Sequence, residues 1–391
     1  MKEDTKLIVA GRDPHRYHGA VNLPVYHAST ILFPTLDAHD AAYAARLRDE
    51  QVVTYGLAGT PTSYALANAV AELEGGYRAQ VYPSGLAAIA AALLACLKSG
   101  DHVLMVDSVY EPTRILCDGL LARFGVHTTY YDPLVGAGIA KLLQPSTRVV
   151  FVEAPGSITF EMQDIPAIAA AAHAGGALVV MDNTWASPLY FKPFAHGVDL
   201  SIQAGTKYLA GHSDLLIGTV AATKEAWPAL RDATRQLGQG AGPDDMFLTL
   251  RGMRTLSIRL ARHHASALKV AEWLKTRPEV ARVIHPALPD DPGHAIWKRD
   301  FLGATGLFAF ELKPVSRRQL AAMLDNMQLF GMGYSWGGFE SLIVPASEER
   351  LRHRLHWESK GILLRVHVGL EAVEDLIEDL TAGFRRLHGA A

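Results

Sequence analysis

Residues 148–182 read RVVFVEAPGSITFEMQDIPAIAAAAHAGGALVVMD. Two runs within this stretch, Val149–Val152 and Leu178–Met181, are apolar at every position, and Ile165–Ala174 between them reads as a helix. A strand with one wet face alternates apolar and polar residues, whereas a strand covered on both faces does not. The stretch therefore predicts two buried strands joined through a helix, the unit from which parallel sheets are built.

The same alternation extends outward. Upstream, AQVY (79–82) leads into an Ala-rich helix beginning near Ser84. HVLMVD (102–107) leads into a helix that starts after Pro112 and stops at Gly125, and VHTTYYD (126–132) follows. Thr62 is expected to cap a helix with Leu66, Val70 and Leu73 on one face, stopping at Gly75. Residues 11–35 have no sustained period and read as an extended arm, and Ala38–Val52 as a short helix. Downstream, GQGAGPDD (238–245) reads as a joint, followed by one long helical pattern from Phe247 to Leu274. LFAFEL, SLIVP, ILLRVHVG and a helix from Glu371 then make a smaller α+β unit. The expected organisation is an arm over 1–57, an α/β domain over 58–245 and a C-terminal domain over 246–391.

Composition narrows the class. A chain of 391 residues exceeds one small core, and 49% hydrophobic with 20% charged residues is ordinary for a soluble globular protein. A net charge of −3 leaves no basic footprint for nucleic acid or an anionic membrane. Cys96 and Cys117 form no CxxC pair, which argues against a zinc site or a disulfide framework. The polar N-terminus lacks a signal-peptide core, and the longest apolar run, Leu86–Leu97, is too short to span a bilayer. These features predict a cytoplasmic enzyme with no metal site.

Three features then combine. Ser84-Gly85 at a strand-to-helix turn aims free N–H groups at one point, an anion site by geometry and dipole. Asp182 closes an apolar strand at the edge where open α/β sheets bind ligands. Lys207, in QAGTKYLAGHSD (203–214), has small, apolar or hydroxyl-bearing neighbours that suit a confined amine with a lowered pKa. Singly, these are an ordinary turn, a capping Asp and a surface Lys. Together, a phosphate cradle, an acid for a ring nitrogen and an amine for an aldehyde are a protein's share of a pyridoxal 5′-phosphate site. Tyr110, after HVLMVD, is a further candidate to stack on a planar ring.

Long motifs carry a resemblance over nearly the whole chain. GDHVLMVDSVYEPT (100–113), VVMDNTW (179–185), SIQAGTKYLAGHSD (201–214), LRGMRTLSIRL (250–260), HHASALKVAEWL (263–274), YSWGGFESLI (334–343) and LLRVHVGLE (363–371) follow one another in order. In these the chain resembles the Cys/Met-metabolism family of pyridoxal-phosphate enzymes. The resemblance implies the aspartate-aminotransferase-like fold type I, with a mainly parallel seven-stranded sheet and a smaller C-terminal α+β domain. It implies Lys207 as the Schiff-base lysine, Asp182 on the pyridinium and Tyr110 over the ring. The backbone at Gly85 and Leu86 and the Thr206 hydroxyl would take the phosphate. Arg365 would clamp the substrate α-carboxylate beside Ser335 and Trp336, and Tyr55 would reach in from a neighbouring subunit of a homotetramer. Independently, alternation in ILLRVHVG puts Arg365 and His367 on one face. His212 and Asp214 are assigned to loop structure.

Within the family, Glu111-Pro112 after Tyr110, Trp336, Ala204 and Ser157 resemble the members that cleave the Cβ–S bond. The implied reaction is elimination on an amino-acid thioether such as cystathionine, giving homocysteine, pyruvate and ammonia. Lys207 would serve as the base at Cα and the acid at sulfur. Cγ-acting members and a cofactor-binding regulatory protein are the alternatives. One departure stands out. Family members commonly carry Arg two residues after the arm tyrosine, where this chain has Leu57. Losing one charge-assisted contact to a phosphate costs about 1.5–3 kcal/mol. Neutral donors, or a cation from elsewhere, are expected to take its place.

Overall fold

The computed structural model describes residues 1–346 and 361–390. The stretch around residues 148–182 forms strands β4 (Thr147–Glu153) and β5 (Leu178–Asp182), parallel from Val149 opposite Leu178 to Glu153 opposite Asp182. The Ile165–Ala174 helix joins them, capped by Asp164, which accepts from the Ala167 N–H. Val149, Val150, Phe151 and Val152 are fully buried, as are Val179, Val180 and Met181. Each such side chain contributes roughly 1.5–3 kcal/mol by leaving water. Truncating Phe151 to Ala would cost about 3–5 kcal/mol through the cavity left behind.

The remaining strands of this sheet are β1 (Arg78–Tyr82), β2 (His102–Val106), β3 (His127–Tyr131), β6 (Leu200–Gln203) and β7 (Gly218–Ala222). Their order is β1-β7-β6-β5-β4-β2-β3. Only β7 is reversed: it is antiparallel to both neighbours, so β1 returns to the sense of the rest. The C-terminal ends of β1, β2, β4, β5 and β6 thus open on one edge. The apolar runs predicted a mainly parallel sheet, and the count of seven strands is the one the family resemblance implied.

A second, antiparallel sheet contains β8 (Val280–Ile284), β9 (Leu307–Leu312), β10 (Leu342–Pro345) and β11 (Ile362–His367), in the order β10-β11-β9-β8. Here alternation decides the packing. Leu307, Ala309 and Leu363 join the core of the large sheet, whereas Phe308, Phe310, Leu364 and Val366 join a separate core with the C-terminal helix. Arg365 shares its face with Leu363, so it is turned towards the large sheet.

Several local expectations need correction. Thr60, not Thr62, caps the helix Pro61–Glu74, in a reciprocal capping box with Ser63. Pro61 suits the first helical position, and Thr62 is buried within the first turn. The short helix is Leu36–Leu47, capped by Thr35. Pro112 lies within the first turn of Glu111–Leu116, which widens into a π-turn over Cys117–Leu121. The long helix after residue 246 is two helices, Pro243–Met253 and Leu256–Lys275. The break follows Gly252, where a side chain would strike the Leu209 and Ala210 carbonyls, and Arg254 there donates to Leu7 and Ala10. The N-terminal segment is partly helical, Glu3–Val9, with Leu7 and Ala10 buried. The last helix starts at Val373, not Glu371.

Candidate active site

The edge formed by the strand ends gathers most of the predicted residues. After β1, Ser84 caps the helix Gly85–Cys96 by accepting from the Ala87 N–H at 3.1 Å. The Gly85 and Leu86 N–H groups lie in the first turn, where no intrahelical acceptor exists. A Cβ on Gly85 would come within 2.7 Å of the Ala204 methyl, so this helix start packs directly against the segment leading to Lys207. The Thr206 hydroxyl, expected at a phosphate, donates to the Ile217 carbonyl at 3.1 Å and accepts the Ile217 N–H at 2.9 Å. It must rotate to offer its proton elsewhere.

After β5, Asp182 is buried and accepts from the Thr184 N–H at 3.0 Å and the Thr184 hydroxyl at 2.5 Å. Burial raises its pKa, while Thr184 and Lys207 oppose the rise. A carboxyl held this way gains from a nearby cationic N–H. Opposite it on β4 stands Glu153, whose carboxyl burial and the adjacent Asp182 push well above the usual range. Glu153 accepts the Tyr110 N–H at 2.9 Å and so anchors the turn that carries the Tyr110 ring. Sequence reasoning missed Glu153. The signal was an apolar strand ending in Glu at the register of Asp182.

After β6, the half-buried Lys207 amine donates to the Ser335 hydroxyl at 2.5 Å and lies 5.2 Å from the centre of the Trp336 ring. Burial, then the charge of Arg365, lowers its pKa to about 8 against the opposing pull of Asp182. The Arg365 guanidinium donates to the Ser335 carbonyl at 3.0 Å. Ser335 therefore touches both cations, and it does so in a left-handed backbone conformation (φ 75°) rare for a residue with a side chain. Behind it, Gly337 (φ 89°) presses on the Lys207 backbone, where a Cβ would sit 2.9 Å away. His367, held neutral by burial with its pKa pushed down to about 3, accepts the Gly337 N–H at 3.2 Å.

Tyr110 is partly exposed, and burial, then the Asp182 and Glu153 charges, raise its pKa. Asp182, Lys207, Arg365 and Tyr110 thus sense one another's charge at one edge. Tyr55 stands apart. It is about half exposed, bridges to Thr30 and lines a separate cleft. His212 caps its own loop through the Ala210 carbonyl.

A desolvated lysine, a buried acid and a bare helix start fit pyridoxal 5′-phosphate in charge and donor type. The close approach of Gly85 to Ala204 adds the small-residue lining that such a group requires. Fold and edge together define an α/β enzyme of the kind that works with this cofactor. More narrowly, the chain belongs to the Cys/Met metabolism PLP-dependent enzyme family, whose pattern matches residues 4–385. It is 50% identical over 385 residues to a putative cystathionine beta-lyase of Rhizobium johnstonii, covering 97% of this chain and 95% of that protein. It is 47% identical over 392 residues to a cystathionine beta-lyase of Escherichia coli, covering 99% of both. Among solved structures, cystathionine gamma synthase from Xanthomonas oryzae pv. oryzae in complex with cystathionine superposes with a TM-score of 0.90. That pair shares 32% identity over 100% of both chains. Among the described residues, no helix is long and apolar enough to cross a membrane.

Proposed function

We propose that the chain is a cystathionine β-lyase, cleaving the Cβ–S bond of L-cystathionine to homocysteine, pyruvate and ammonia with uptake of water. The observation that carries this reading is the Lys207 amine, drawn towards neutrality by burial and then by Arg365 against the pull of Asp182, and bonded to Ser335. A lysine that is neutral near pH 8 can accept a proton and return it. The near full-length likeness to proteins named cystathionine beta-lyase supports the choice of bond.

When bound, pyridoxal 5′-phosphate supplies the electron sink that acidifies the substrate Cα. Asp182 is the acid for its ring nitrogen, Tyr110 the aromatic face beside it, and Gly85, Leu86 and Thr206 the donors for its phosphate. Arg365 anchors the substrate α-carboxylate as a two-pronged donor with Ser335 at its side. Lys207 then takes the Cα proton and delivers it to the departing sulfur. Trp336 walls this space and limits water. Tyr55, on an arm over residues 1–57, serves the neighbouring subunit of a cytoplasmic homotetramer, next to the cofactor domain (58–245) and the C-terminal domain (246–391).

Pyruvate assayed from L-cystathionine, in the wild type and in Lys207→Ala, tests the proposal. Pyruvate that disappears in the variant is the expected result. Formation of 2-oxobutyrate instead, or undiminished pyruvate in Lys207→Ala, sinks it.

A further inference from the structure

The cleft that Tyr55 lines has a volume of about 660 Å³. Around it stand Leu57, Tyr64, Arg46, Arg231 and Arg235, and an adjoining hollow of about 440 Å³ shares the three arginines. Several guanidinium groups gather here around Asp49, and Arg231 also reaches Asp232 at 2.8 Å. Asp49 receives Arg78 at 2.9 Å, Arg231 at 3.4 Å, Arg235 at 3.8 Å and the Trp227 indole N–H at 2.6 Å. Its backbone is left-handed (φ 62°). Glu50, on the same rim, is taken by Arg48 at 2.7 Å. Burial, then the neighbouring Arg231 and Arg46, disfavour the charge on Arg235, while Asp49 and Asp232 oppose this only in part.

Like charges crowded into a concave, half-desolvated wall are costly unless an anion meets them. Guanidinium forks fit tetrahedral oxyanions better than point cations do. The excess of guanidinium over carboxylate suits a dianion rather than one carboxylate. The same wall carries Leu57, the position where the sequence lacks an expected cation.

We propose that this cleft takes a phosphate monoester dianion, the cofactor phosphate of a second copy of the chain, with Arg235 and Arg46 supplying the charge that Leu57 does not. This rests on the functional reading above in one respect, that the Tyr55 turn faces a neighbouring copy's cofactor. Residues 46 and 235 lie far apart in sequence, so no local motif announces the exchange.

The test compares two ligands that differ only in the phosphate. Cofactor is removed from the holoenzyme, and reloading with pyridoxal 5′-phosphate or with pyridoxal is followed by visible absorbance. In Arg235→Gln, affinity for the phosphate ester should fall on the order of tenfold or more, while affinity for pyridoxal should hold. Arg46→Gln, on a helix with no buried residue and so safe for folding, should show the same selectivity to a smaller degree. Leu57→Arg in the Arg235→Gln background should recover most of the loss. Equal effects on both ligands, or no effect in either variant, overturn the proposal. So does inorganic phosphate saturating the holoenzyme in an Arg46-dependent way with cofactor affinity unchanged, since the occupant is then a free ion. Absence of pyruvate formation removes the functional reading alone, because these affinities are read without turnover.

Discussion

β5 and β11 are both short apolar strands that bring a charged residue to Lys207, yet the charge closes the first and lies inside the second. β5 is covered on both faces within a parallel sheet, so its only open place is its end, where Asp182 sits. β11 is antiparallel between β9 and β10, with one face on its own core and the other turned to the large sheet. Arg365 therefore reaches the same amine from mid-strand. The two act with opposite sign: Asp182 raises the Lys207 pKa and Arg365 lowers it, behind the larger effect of burial. A parallel sheet offers chemistry at strand ends, and an antiparallel one offers it across a face.

The largest effect is expected from removing the charge at the tip of β5. Asp182→Asn keeps the shape and the bonds to Thr184 but cannot stabilise a ring-nitrogen proton. We expect kcat/KM for pyruvate formation to fall about 10²–10⁴-fold, with the protein still folded by circular dichroism. A loss under fivefold would mean that Asp182 is only a turn residue.

The second test reads Lys207 itself in the cofactor-free protein, by its rate of acylation against pH. The neutral amine is the reactive form, and a lowered pKa makes that form available at lower pH. Half-maximal reactivity should therefore fall near pH 8 instead of the range of an ordinary lysine. Arg365→Met should move the midpoint up and Asp182→Asn should move it down. A midpoint above 10 in the wild type contradicts the desolvated setting. A smaller effect is expected of Arg365→Lys, which keeps the charge but loses the two-pronged fork. KM should rise on the order of 10-fold or more with kcat little changed, and a fall in kcat alone would point to a role in chemistry rather than binding.

What the sequence disclosed follows the same division. The unbroken apolar runs of β4 and β5 predicted a covered parallel sheet, and the tight neighbours of Lys207 predicted a confined amine. Those signals are local, because burial on both faces leaves its mark on every residue of a strand. Arg365 and His367 sharing a face was also legible from alternation. Glu153 was missed because a strand-end Glu looks like the start of a loop until its register opposite Asp182 is known. The helix break near Arg254 was missed because apolar spacing continues through it. Its cause is the approach of the Leu209 and Ala210 carbonyls and of the N-terminal segment, both far away in sequence. Thr60 and Thr62 can both cap a helix by residue type, and Pro61, suited to the first helical position, is the feature that singles out Thr60.

The smallest expected effect separates backbone strain from contact with the site. Gly337 and Gly75 have nearly the same left-handed backbone, φ 89° and 83°. Beside Gly75 a Cβ meets nothing within 4 Å, whereas beside Gly337 it meets the Lys207 backbone at 2.9–3.0 Å. Gly75→Ala should therefore cost only the conformational penalty, about 1 kcal/mol, with activity unchanged. Gly337→Ala should cost that amount plus roughly 1–2 kcal/mol for displacing packed backbone. It should also shift the cofactor's visible absorbance, because the atoms displaced are those of the residue proposed to bond it. Denaturant midpoints and spectra of the two variants, taken side by side, read both parts. Equal destabilisation with an unaltered spectrum would mean that the Gly337 turn can move away from Lys207, and that the amine is positioned by Ser335 and burial alone.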